Sequence, residues 1–214
     1  TWLRMSNTIP GAATFWAAER PTGVAFVVDP PLVPPGPYAG RLRTRVMNAQ
    51  DATQLADGLI GDEADYVAND ARMLGFTYGN GTAVVAQTQS NGGYGLRFVA
   101  VAPGGNVTAT ANSPDSFPNA SRDFAGALTN GGGTFALVDE DSGRLRYWRL
   151  TTAGNAPVFT GFDPQIDGVS SVSVVYGQGG PMIFVLQRNA LRVLFLDAMH
   201  GVVGSLADVV VAPP

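Results

Sequence analysis

His200 is the only imidazole in the chain, and with Asp197 or Asp208 and a serine it could in principle form an acyl-transfer triad. A triad serine needs a strained nucleophile elbow, and the sequence contains no Gly-x-Ser-x-Gly, so His200 reads as a turn or helix-end residue. Carboxylates gather at Asp62/Glu63/Asp65/Asp70 and at Asp139/Glu140/Asp141, where paired acids could hydrolyse glycosides or hold calcium. Neither segment completes the alternating oxygen ligands and bend glycine of a calcium loop, which leaves turn and cap roles for these acids. The chain also lacks lysine and cysteine. That removes the Schiff-base amine, the phosphate-cradling P-loop, the thiol nucleophile, the thiolate metal ligand and the disulfide. No catalytic residue, metal or cofactor is assigned, and the expected function is not enzymatic.

Chemistry of recognition has better candidates. Tyr78, Tyr94, Tyr147, Trp148, Phe159 and Phe162 could stack on the apolar faces of sugar rings. Tyr94 stands out because it lies in the polar stretch Gln89 to Gly95, where an aromatic ring has little core to enter. Tyr147 and Trp148 are adjacent in a strand and point to opposite faces, which makes them core residues. The longest stretch without a strand signal runs from Asn112 to Asn130, and a loop that long in a compact domain is commonly functional. A contact surface built from these two loops would use Gln89, Asn91, Tyr94, Asp115 and Asn119. Arginines cluster at Arg41/Arg43/Arg45 and Arg144/Arg146/Arg149, where a spacing of two places side chains on one face of a strand. A solvated or edge-protecting row is the expected role, and an anion-binding row is the alternative. Asn-x-Ser/Thr sequons at Asn80, Asn106 and Asn119 mark polar turns.

The elements that would position these groups are strands. Only 14% of residues are charged, while 27 Gly and 15 Pro supply the dihedral angles of many tight turns. Apolar alternation predicts strands at Trp2 to Met5, Ala13 to Ala17, Gly23 to Val28, Arg41 to Met47, Thr82 to Gln87, Gly95 to Val101 and Val107 to Ala111. It predicts further strands at Thr134 to Val138, Arg144 to Thr151, Ala156 to Thr160, Ser170 to Tyr176, Met182 to Gln187, Leu191 to Leu196 and Asp208 to Val211. The expected fold is all-β, a compact antiparallel β-barrel or sandwich of about a dozen short strands with one short helix. The helix is expected over Asp51 to Ile60, where Leu55, Leu59 and Ile60 have helical spacing and Asp51 could cap it. Asp139 to Gly143 should be a hairpin turn with Gly143 left-handed, and Arg188-Asn189-Ala190 a second. Pro30 to Pro37 should be an extended polyproline-like surface segment. The starts Gly81-Thr82, Gly133-Thr134 and Gly180-Pro181 recur about every fifty residues and suggest a small propeller, for which no fourth copy is evident before Gly81.

The net charge of −4 and scattered arginines argue against nucleic acid, and no apolar run reaches the length of a membrane span. One globular domain over residues 1–214, excised from a longer chain, is expected. Trp2-Leu3-Arg4-Met5, Thr22 to Val27, Leu145-Arg146-Tyr147-Trp148 with Thr151-Thr152-Ala153-Gly154, and Val209-Val210-Val211-Ala212-Pro213 resemble the protruding spike domain of astrovirus and hepatitis E-type capsid proteins. That resemblance implies a β-barrel homodimer on the virion surface. Its partners would be a host-cell receptor, glycan or protein, and antibodies. The alternative is a secreted microbial carbohydrate-binding module or small β-propeller lectin.

Overall fold

The computed structural model describes residues 14–18, 22–28, 42–48, 54–59, 73–78, 81–90, 93–102, 106–114, 117, 121–129, 131–152, 156–188, 190–197 and 202–210. These residues are all-β and contain no helix. The chain divides into two compact units, residues 1–112 and 113–214.

The first unit holds two four-stranded antiparallel sheets. One is β1 (Thr14–Ala18), β2 (Thr22–Val28), β3 (Leu42–Asn48) and β4 (Gln54–Leu59). The other is β5 (Met73–Tyr78), β6 (Gly81–Ser90), β7 (Gly93–Val101) and β8 (Val107–Asn112). The second unit repeats the plan with β9 (Ser121–Thr129), β10 (Gly132–Asp139), β11 (Leu145–Thr151) and β12 (Val158–Phe162), then β13 (Val169–Gly177), β14 (Gly180–Gln187), β15 (Ala190–Leu196) and β16 (Val202–Val210). In every sheet the strands lie side by side in chain order, so each is a simple meander.

Two of the glycine starts seen in the sequence, Gly81 and Gly180, open the second strand of their meanders, and the third falls one residue before Gly133, at Gly132. Gly81, Gly132 and Gly180 each open the second strand of their sheet. A Cβ there would lie 2.2 Å from the Val101 carbonyl oxygen, 2.1 Å from that of Leu150 and 3.0 Å from that of Leu196, respectively. Each of those carbonyls belongs to the last or last-but-one residue of the third strand of the same sheet, so glycine recurs because backbone meets backbone there. β2, the second strand of the first sheet, opens on Thr22 with Gly23 next to it.

In the second unit the two sheets stack face to face. Ala136 and Val138 of β10, Leu145 and Tyr147 of β11, Val172 and Val174 of β13, Ile183 and Val185 of β14, and Leu194 and Leu196 of β15 form one buried cluster, with Ala125, Ala127 and Phe162 against it. Polar groups pin the stack. Asp123 of β9 accepts from the Ser171 hydroxyl at 2.6 Å and from the Val172 amide at 2.9 Å, beside the register shift of β13. The Thr134 and Tyr176 hydroxyls are hydrogen-bonded at 2.9 Å across the same interface. On its other face β11 presents Trp148 and Leu150, which are buried, as are Phe117, Phe135 and Phe159; Phe117 packs on Trp148 and Phe135 on Phe159.

The hairpin turn after β10 matches its sequence. Asp139 Oδ1 accepts from the amides of Asp141 and Ser142 and from the Ser142 hydroxyl, and Gly143 has φ +64°. Arg188 takes φ +48° in the link between β14 and β15.

Three expectations are corrected. Asp51 to Ile60 does not carry the expected helix: β4 occupies Gln54–Leu59 and pairs antiparallel with β3. Ladder hydrogen bonds from β3 outweigh the helical spacing of its leucines. Asn112 to Asn130 is not one long loop, because β9 fills Ser121–Thr129. Its Ala125 and Ala127 pack against the buried cluster, where small residues fit and strong strand formers are not required. Gln89 to Gly95 is likewise a hairpin rather than a loop, with Gln89 opposite Tyr94 and Ser90 opposite Gly93. Asn91 and Gly92, between these paired ends, lie outside the described residues. The predicted segments Trp2 to Met5 and Pro30 to Pro37 lie outside the described residues.

Candidate functional site

The β11–β12 hairpin carries a groove of about 240 Å³ lined by Arg146, Trp148, Gly161, Phe162 and Asp163. Its origin is in the register. Trp148 of β11 stands opposite Gly161 of β12, and a glycine at that position puts no side chain beside the indole. Arg146 and Trp148 are two apart on one strand and share a face, whereas Arg149 lies on the other face. Neighbouring pairs are filled conventionally: Tyr147 and Phe162 stack with centroids 5.0 Å apart and planes 8° from parallel, on the face that meets the other sheet. Burial there pushes the Tyr147 hydroxyl up to about 12, with the Asp197 carboxylate adding to the shift.

The groove's hydrogen-bonding balance is one-sided. Trp148 Nε1 and Arg146 Nε are buried and have no hydrogen-bond partner. A buried donor without an acceptor costs about 1–3 kcal/mol, so two at one place are an unusual expense for a structural strand. The carboxylate in the lining does not serve them. Asp163 is held by Arg144, whose Nε donates to Oδ1 at 3.1 Å and to Oδ2 at 3.0 Å and whose Nη2 donates to Oδ2 at 2.8 Å. The Gln165 amide adds a bond to Oδ1 at 2.9 Å, with Gln165 itself at φ +57°. These contacts hold the Asp163 carboxyl below the usual carboxylate value, chiefly through the Arg144 hydrogen bonds, and raise Arg144 in return. The groove therefore offers donors and has its own acceptor already occupied.

The sequence-derived contact residues fall elsewhere. Gln89 and Tyr94 face each other across β6 and β7, and Tyr94 is half-buried. Asn91, Asp115 and Asn119 lie outside the described residues, as does His200. Of the acidic clusters, Asp139 serves its turn, and Asp62, Glu63, Asp65 and Asp70 lie outside the described residues. Among the described residues no group of three or more His, Cys, Asp or Glu side chains could hold a metal ion. The exposed Asn106 sequon sits at the turn into β8, its carbonyl accepting from the Ala102 amide at 2.9 Å. The signal that sequence reading passed over is the alternation Arg146-x-Trp148 combined with Gly161, which becomes meaningful only once the register is known.

No protein-family model matches the chain, and no curated protein does. Solved structures similar to it include two that overlap nearly all of this chain. A protein of unknown function from Desulfotomaculum acetoxidans is 13% identical, with a TM-score of 0.47 over 90% of this chain and 55% of that one. The WD40 domain of SCAP from fission yeast is 7% identical, with a TM-score of 0.45 over 91% of this chain and 50% of that one. The chain thus spans about half the length of each.

Proposed function

We propose that this chain is a non-enzymatic recognition domain that holds another molecule in the Arg146–Trp148 groove. The observation carrying this reading is that two side chains lining one groove, Arg146 and Trp148, each hold a buried donor without a partner. Donors left unmet in a folded protein are met when a ligand brings the acceptor. The recurrence of one sequential four-stranded meander supports the propeller-type recognition alternative over the capsid-spike barrel. A barrel closes a single sheet on itself, whereas consecutive meanders are the unit from which propellers are made.

The test is binding of purified protein to mixed peptide and glycan arrays, compared with Arg146→Gln and Trp148→Phe variants of matched thermal stability. Ligands retained by the parent and lost by both variants fit the proposal. Ligands held equally by all three proteins, or turnover of a substrate by the pure chain, would contradict it.

A further inference from the structure

The groove does not stand alone: it adjoins the free edge of β12. In its sheet β12 pairs with β11 and has no strand on its other side among the described residues. Val158 of β12 is 56% exposed and Thr160 is exposed, both on the face of the hairpin opposite Trp148 and Gly161. An open edge presents a row of backbone donors and acceptors to which an extended chain can add.

Resting on the recognition function above, we propose that the β12 edge and the groove together bind an extended acidic peptide, whose Glu or Asp carboxylate is received by Arg146 Nε and Trp148 Nε1. Three observations define the ligand. The unmet groups in the groove are donors, which calls for a group rich in acceptors and free of hydrogens, and a carboxylate is that group. Asp163 is ion-paired to Arg144 at 2.8 Å, and Arg146, whose charge also acts on Asp163, keeps its Nε without an acceptor. Gly161 leaves open the path by which a side chain from a strand added beside β12 crosses toward β11.

A sugar acid is the less suitable source of the carboxylate. Trp148 is 1% exposed with Phe117 packed on it, and Phe162 has one face against Tyr147. A flat platform for a pyranose is therefore lacking at these two rings.

Isothermal titration calorimetry against acetyl-TVEVT-amide and its glutamine twin acetyl-TVQVT-amide reads the carboxylate alone, with no change to the protein. The expected result is at least ~10-fold tighter binding of the glutamate peptide, weakened by added salt, with most of that preference lost in Arg146→Gln. Equal affinity for the two peptides overturns the proposal. So does a preference that survives Arg146→Gln in a variant whose circular dichroism and melting match the parent. Glucuronate binding better than glucose, with neither peptide bound, overturns the peptide assignment. Groove-dependent binding indifferent to the carboxylate would sink this inference and leave the recognition function standing.

Discussion

The two sheets of the second unit make unequal use of similar sequences. Every residue of β10 is buried, from Gly132 to Asp139. In β14, Pro181, Ile183 and Val185 are buried while Met182, Phe184 and Leu186 are only partly covered. Its neighbour β15 follows suit, with Leu194 and Leu196 buried and Val193 and Phe195 partly covered. A strand covered on both faces must satisfy its polar side chains internally, and β10 does so through the Thr134–Tyr176 bond and the Asp139 turn. A strand covered on one face has no such constraint, yet β14 is as apolar as β10. Apolar composition alone therefore does not report how many faces of a strand are covered.

Two changes sharpen the contrast. Phe135→Ala in β10 removes a ring that is fully buried, and should cost about 3–5 kcal/mol in urea unfolding followed by circular dichroism. Phe184→Ala in β14 removes a partly covered ring and should cost about 1–2 kcal/mol. Equal losses would erase the distinction between the sheets.

The glycines give a second pair. Gly132→Ala drives a Cβ to 2.1 Å from the Leu150 oxygen at φ +146° and should destabilise by about 3 kcal/mol or more. Gly180→Ala meets the Leu196 oxygen at 3.0 Å with φ +122° and should lose about 1–2 kcal/mol. If the order of the two melting temperatures is reversed, the equivalence of these positions is wrong.

The smallest effect is a titration. The Tyr147 hydroxyl is raised from 10.0 to about 12 by burial, while Tyr176, also raised by burial, is held back by the Thr134 hydrogen bond and by Arg149. Because the folded state keeps the Tyr147 proton more firmly than the unfolded chain, this stabilisation is complete below pH 10.0 and is lost as pH rises toward about 12. Tyr147→Phe should flatten that alkaline decline; an unchanged pH profile would place the titration elsewhere.

Much of the fold is legible from residue order. The strands read directly are those with β-branched and aromatic alternation, such as β2, β7, β11 and β15. Those missed, β4, β5 and β9, all lie at the edge of their sheets. Their sequences, with Gly58, Gly75 and Gly126 inside them, are poor strand formers that are extended because a neighbour supplies the ladder. The groove was hidden for a related reason. Arg146 and Trp148 look like an edge-protecting cation and a core aromatic until pairing puts Gly161 opposite the indole. Pairing between strands is a tertiary fact, and no periodicity along one strand encodes it.

The recognition role rests on the Trp148 indole N–H lacking an acceptor in the free protein. Its ¹⁵N–¹H resonance, assigned as the signal missing from Trp148→Phe, reads that group directly while acetyl-TVEVT-amide is added. A downfield shift of this indole signal that saturates with ligand, leaving the Trp2 and Trp16 signals in place, is the predicted result. An indole resonance that stays fixed while the peptide binds would contradict the account.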